Sequence, residues 1–323
     1  MIGKETHRGI VQRLQQDAFW FRQRGAMLSF MILGLMLLFL SLFLGERFVS
    51  TTNIANLAGQ LAPLFLVSLG QTFVLLGAGF DLSVGAVISL TTAILTLDFP
   101  DVFKLPLALA AAVTVGLVNG LGCVYLRVHP IIMTLATSSI VQGIALILLP
   151  TPGGIAPQVL VTAASGTLFG LPAGFYWIIA AAAVSIWVVH GTKYGLRLYA
   201  TGENPQAAWI NGINAPSIRI STYVISAMCA AIAGAYLTGR LASGDPNVGI
   251  ALGLDSILGA ALGGTLLSGG VGGPIGTIAG VLIIGLLNNG LNLANISPYY
   301  QFVFKGAMLI AAVSLFRRKE AGL

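Results

Sequence analysis

The sequence predicts an all-α polytopic membrane protein of about ten transmembrane helices, with an inverted internal repeat and both termini cytoplasmic. Three observations predict it. Of the 323 residues, 56% are hydrophobic and only 8% are charged, where a soluble domain has about 25% charged residues. The apolar residues form continuous runs, long enough to cross roughly 30 Å of hydrocarbon as helices and unlike the alternation of a membrane β-barrel. The bases gather at the ends of those runs, where membrane topology uses them.

Residues 1–25 form a polar, basic tail with Lys4, Arg8, Arg13, Arg22 and Arg24. Ile10, Leu14, Ala18 and Phe21 recur at helical spacing with Trp20 near the end. The tail reads as an amphipathic helix lying on membrane lipid, or in its first half as plain basic chain. No small-residue cleavage site follows the first apolar run, which is therefore expected to be a retained span. The membrane-spanning body spans 26–316 and a short cytoplasmic tail spans 317–323.

Ten apolar runs follow one another: Ala26–Leu44, Ile54–Gly77, Leu82–Leu97, Leu105–Leu126, Ile131–Leu149, Phe175–Val189, Ile218–Gly239, Gly253–Leu267, Pro274–Leu293 and Tyr299–Phe316. An even count returns the carboxyl terminus to the side of the amino terminus. With that side cytoplasmic, twelve of the sixteen Lys and Arg lie inside, and Arg47, Lys104, Arg240 and Lys305 fall outside or near outer ends. The net charge of +6 is thus a topology signal and not a nucleic-acid footprint. Cys123 and Cys229 sit in or beside apolar runs and read as small buried side chains.

Four blocks recur in order. Asp81, Gly85 and Ala86 match Asp255, Gly259 and Ala260, offset by 174, and Gly116, Leu117 and Asn119 match Gly285, Leu286 and Asn288, offset by 169. Pro130 matches Pro298 and Gly143 matches Gly306, at 168 and 163. Five spans separate the copies, and an odd number inverts the second relative to the first, a layout common among transporters.

Asp81 and Asp255 are the acids closest to apolar runs, and an ionisable group in a span is a functional candidate. Asp81 lies with Phe80 and Ser83 in GAGFDLSVG, between two runs. It reads as a cap for a helix beginning at Leu82, or as the lining of a gate built on that helix break. Asn119, Gln142, Asn288, Asn289 and Asn292 are amides in or near spans, suited to interhelical hydrogen bonds or to contact with a polar substrate. No metal-binding spacing, nucleophile elbow or glycine-x-glycine-aspartate protease arrangement is present, so the chain reads as no enzyme. The phosphate-binding loop is also absent. ATP, if it drives this protein, is bound by another chain, and no cofactor is expected here.

The longest polar interruption of the second half is His190–Arg219. Within this 190–217 loop, Asn204 suits a helix N-cap, Pro205 the first helical position, and Gly212 the exit. A short helix between two spans has little to pack on except another protein or the lipid surface.

GAGFDLSVGAVISL, Gly77–Leu90, resembles the signature after the second span of ribose-type permeases of ATP-binding-cassette importers. GENPQAAWINGI, Gly202–Ile213, resembles that family's cytoplasmic loop, and GRLASGDPNVG, Gly239–Gly249, and LGGTLLSGGVGGPIGT, Leu262–Thr277, fit as well. The resemblance runs from Ala26 to Phe316. It implies a homodimer in the bacterial inner membrane, a periplasmic sugar-binding protein outside and a cytoplasmic cassette ATPase inside. It makes the helix carrying Gly202, Glu203, Asn204, Pro205, Gln206, Ala207, Ala208, Trp209 and Gly212 the coupling element. A monosaccharide is the expected cargo. Related permeases carry autoinducer-2, nucleosides or branched-chain amino acids, and the rival class is a secondary transporter driven by an ion gradient through Asp81, Asp255 or Lys305.

Overall fold

The computed structural model describes residues 25–315. Residues 1–24 of the amphipathic tail predicted at 1–25, and the carboxyl-terminal tail predicted at 317–323, lie outside the described residues; Gly25 already belongs to the first helix. In chain order the helices are α1 (Gly25–Leu44), α2 (Glu46–Val49), α3 (Thr51–Leu76), α4 (Val84–Leu95), α5 (Asp101–Val124), α6 (Pro130–Leu148) and α7 (Gln158–Ser165). A two-residue hairpin, β1 (Thr167–Leu168) and β2 (Leu171–Pro172), precedes α8 (Ala173–Gly191). There follow α9 (Lys193–Glu203), α10 (Pro205–Ile210), α11 (Ala215–Leu241), α12 (Ile250–Leu262), α13 (Pro274–Leu293) and α14 (Pro298–Leu315).

Each predicted apolar run falls on a helix, and seven helices among the described residues are long and apolar enough to cross a membrane. The chain is a polytopic all-α membrane protein. α3, α4 and α11 form its centre: the most apolar stretch of α3 is 89% buried, and every residue of α4 is buried. The same stretches of α1 and α8 are only 17% buried. Their large apolar side chains, Leu38, Leu42 and Phe43 among them, face outward. This is the distribution that lipid as the outer solvent demands.

α4 and α12 are short because the chain before each is not helical. The segment 77–83 turns back from the end of α3, and the segment 242–249 turns back from the end of α11. The expected helix start at Leu82 is displaced to Val84, with Ser83 at the N-cap. Each segment meets α4 as non-helical chain, which is tolerated at membrane depth only where protein or water covers its polar groups.

The helix order long, short, long, medium occurs twice, as α3–α6 and α11–α14. Each helix of the second set begins 164 to 173 residues after its counterpart. Pro130 and Pro298 occupy the same place, the first residue of α6 and of α14. The pairing of Asp81 with Asp255 is not reproduced: Asp81 precedes α4, whereas Asp255 lies inside α12. The residues that match are Asp81-Leu-Ser-Val-Gly85 and Asp245-Pro-Asn-Val-Gly249, 164 apart. Each aspartate accepts a hydrogen bond on Oδ1 from the backbone N–H two residues on, Ser83 at 3.0 Å and Asn247 at 2.8 Å. Each segment then ends in the glycine that meets the other.

Candidate functional site

α10 stands at the end of the bundle where α3, α5 and α8 finish. Asn204 caps it as its sequence predicts, with Oδ1 accepting from Ala207 N at 3.0 Å, and Pro205 fills the first position. The exit is a Schellman turn: Gly212 N donates to Trp209 O and Ile213 N to Ala208 O, at 2.9 and 3.0 Å. Gly212 holds φ +75°, a conformation that favours glycine. Ala208 is buried beneath the helix, while Pro205, Gln206 and Ala207 are exposed. Trp209 is 65% exposed and Ile210 83%. With Ala215 and Pro216 they line a shallow apolar groove.

α9, which the sequence reading missed, is what fixes α10 to the bundle. A methyl on Gly202 would overlap the Leu76 carbonyl at the end of α3. That carbonyl accepts from Gly270 N at 3.1 Å, and Gly270 in turn packs on Glu203. Tyr199 donates to Gly272 O at 2.7 Å, and Tyr194 shares a 2.8 Å hydrogen bond with Ser221 of α11. Burial raises the Tyr194 phenol above its ordinary pKa, with the Ser221 hydrogen bond opposing. The glycine-rich segment 263–273 and the ends of α3 and α11 therefore hold α9 from three directions. α9 thus touches both helices, α3 and α11, that lead into the broken segments.

The membrane candidates divide into separate groups. Asp81, Ser83 and Asn119 come together between α3, α4, α5 and α11, and none of the three is exposed. Ser83 donates its hydroxyl to Asp81 Oδ1 at 2.6 Å and accepts from Asn119 Nδ2 at 2.8 Å. Gln71 brackets the Asp81 backbone, in the amide orientation that satisfies both groups: Nε2 donates to the carbonyl at 3.1 Å, and Oε1 accepts from the N–H at 3.2 Å. Leu82 N donates to Thr134 Oγ1 of α6 at 3.1 Å. Ser226 of α11 stands beside the Asp81 carboxylate as a further hydrogen-bonding neighbour, and Asn119 Oδ1 is buried without a hydrogen-bond partner among the described residues. Through Oδ1 the carboxylate shapes the broken segment. Phe80 lies beside it, half-buried.

Asp255 is elsewhere, paired with Lys305 of α14 at 2.6 Å. Asn288 stands apart on α13, its Oδ1 buried and unpartnered, and its neighbour Asn289 exchanges amide hydrogen bonds with Asn53 of α3 at 2.7 and 3.1 Å. Gln142 does not join the Asp81 group. It reaches the segment 242–249, donating to Pro246 O at 2.7 Å. That segment carries polar groups the sequence reading passed over, and the recurrence of aspartate, valine and glycine at spacing 164 was the signal for it.

Comparisons with known proteins are consistent among themselves. A family model described as "Branched-chain amino acid transport system / permease component" matches residues 53–313. A ribose import permease of Bacillus subtilis is 38% identical over 298 residues, covering 90% of this chain and 92% of that protein. A galactose/methyl galactoside import permease of Escherichia coli is 33% identical, covering 89% and 93%. A D-allose transport system permease of the same organism is 32% identical, covering 90% of each. No solved structure matches the chain.

Proposed function

The chain belongs to the permease family of branched-chain amino acid transport systems, and from that membership we propose that it is the membrane permease subunit of an importer for a monosaccharide, driven by a separate cassette ATPase. The similar proteins named for their cargo carry ribose, galactose or methyl galactoside, and allose, which favours a sugar over an amino acid. The protein works in the inner membrane as a homodimer with both termini and α10 cytoplasmic. It receives its cargo from a periplasmic binding protein. It carries no catalytic residues and no cofactor; ATP is bound and hydrolysed by the partner.

The observation that carries this reading is the tip of α10. Trp209 and Ile210 lie exposed on a helix of six residues that is anchored from behind. A Trp and an Ile side by side on a polar loop are what a partner's pocket covers. In this reading α10 is the coupling helix, seated by Gln206, Trp209 and Ile210 in a groove of the ATPase. Closure of two ATPase subunits displaces α10. The clamp at Gly202 and Gly270 passes that displacement to α3 and the segment 263–273, and Ser221 passes it to α11. The segments 77–83 and 242–249, which continue α3 and α11, form the gate. Asp81, Ser83 and Asn119 hold the first segment in shape, and the Asp255–Lys305 pair ties α14 to α12. The fold then has two stable arrangements with different contacts in each, as switching requires.

Co-purification tests the reading. Trp209→Ala with Ile210→Ala leaves a monodisperse permease that no longer retains the ATPase encoded with it. Retention undiminished in the double variant overturns the coupling assignment.

A further inference from the structure

The segment 242–249 enters the bundle as non-helical chain. Its top is fixed where Gly153 and Gly244 exchange backbone hydrogen bonds of 2.9 and 2.8 Å, beside Thr96 at the end of α4. Lower down, Thr92 donates to Asp245 O at 2.7 Å, and Gly249 N donates to Ser89 Oγ at 3.2 Å. Its foot, Gly249, abuts Gly85 at the start of α4. α4 rises about 1.5 Å per residue, so the segment runs roughly 15 Å alongside this wholly buried apolar helix, about half the thickness of a membrane's hydrocarbon. Asn247 lies between the contacts made by Asp245 and Gly249.

At membrane depth, irregular backbone and polar side chains are tolerated only where protein covers them or water fills a cavity beside them. Asn247 is nevertheless exposed, and Asp245 and Gln142 are half-buried. Gln142 Nε2 is held by Pro246 O at 2.7 Å and faces Asn247 Oδ1 at 3.4 Å. Asp245 Oδ1 is held by Asn247 N. Gln142 Oε1 is buried without a hydrogen-bond partner among the described residues. Among the described residues no hydrogen bond engages Asn247 Nδ2 or Asp245 Oδ2, so one amide donor and one carboxylate acceptor stand free, two residues apart on a fixed turn.

We propose that Asp245 and Asn247 are sugar contacts in a water-filled translocation path, and that Gln142 positions Asn247. The inference rests on the reading of the chain as a sugar permease. A sugar presents neighbouring hydroxyls, each a donor and an acceptor, and this pair answers one hydroxyl with a donor and the next with an acceptor. Two hydrogen bonds are few, and a path requires contacts weak enough to release what they admit.

The assembled transporter in proteoliposomes, with its ATPase and binding protein, tests this. Asn247→Cys reacts with a membrane-impermeant methanethiosulfonate ammonium reagent, and Ile140→Cys, on the opposite face of α6, does not. Asn247→Ala lowers ATP-dependent uptake of D-ribose, D-galactose or D-allose, whichever the wild type carries, roughly three- to tenfold, the loss of one hydrogen bond to the passing sugar. The ATPase still co-purifies. Gln142→Ala raises the KM for uptake more than it lowers the maximal rate, and Asn247→Cys stays reactive in its presence. An unreactive Asn247→Cys overturns the water-filled path. Wild-type uptake that survives Asn247→Ala overturns the contact alone. A wild type that takes up none of the three sugars overturns the functional reading, and the contact with it.

Discussion

Gly85 and Gly249 meet backbone to backbone at the centre of the molecule. A methyl on Gly85 would lie 2.6 Å from the Gly249 carbonyl oxygen, and one on Gly249 would overlap the Gly85 carbonyl. Each is the fifth residue of a matching stretch that begins with aspartate; Gly249 caps α12 and Gly85 is the second residue of α4. The two halves of the molecule therefore touch through their matching residues, at the point where any rearrangement of one segment is felt by the other.

Gly249→Ala is expected to lower the thermal midpoint of the detergent-solubilised protein. Overpacking by one methyl costs about 1–3 kcal/mol where the neighbours are backbone and cannot move aside. Gly143→Ala and Gly306→Ala, which meet nothing within 4 Å, leave the midpoint unchanged. A midpoint equal to wild type for Gly249→Ala contradicts the close approach.

Asp81→Asn retains assembly and most of the uptake, because the amide keeps the Oδ1 acceptor for both bonds from Ser83 and alters only the second oxygen. Asp81→Leu leaves the Ser83 N–H buried without an acceptor, at a cost of about 1–3 kcal/mol. It loses both thermal stability and uptake. If uptake collapses in Asp81→Asn while assembly stays normal, the charge itself operates the gate.

Lys305→Met strands the Asp255 carboxylate, and breaking one partner of a buried pair costs about 3–5 kcal/mol. Asp255→Leu with Lys305→Met removes both charges and is more stable than Lys305→Met alone. A thermal-midpoint cycle over the four proteins measures the coupling, and additive single effects contradict the pairing.

Gly202→Ala forces α9 off the Leu76 carbonyl and is expected to abolish ATPase retention without touching the exposed face of α10. Gly212→Ala meets open space and bears only the left-handed backbone, a cost of roughly 1–2 kcal/mol. It keeps most of the retention, as pull-down of the ATPase at matched expression will show.

The loop 190–217 was legible where its grammar is local. Asn204, Pro205 and Gly212 cap, start and end α10 by short-range rules, and all three do so in the structure. α9 was not legible, because two of its five buried residues are Gly195 and Gly202. They are selected by the backbone that presses on them, and a glycine carries no periodic apolar signal. The apolar runs fall on helices and the break at Asp81 is read from GAGFDLSVG, but the run beginning at Gly253 gives no sign that 242–249 is a second such break. The Asp81–Asp255 match followed glycine and alanine, which are too common in this chain to fix a register. The Asp81–Asp245 match is shorter in composition but is tied to a hydrogen bond repeated in both copies.

The central claim, that ATP hydrolysed by a partner drives a sugar through this chain, is tested most directly by uptake into proteoliposomes holding permease, ATPase and binding protein. The account predicts uptake of a monosaccharide that needs both ATP and the binding protein, survives proton and sodium ionophores, and disappears in the Trp209→Ala, Ile210→Ala variant. Uptake that persists without ATP and collapses with an ion gradient would contradict it.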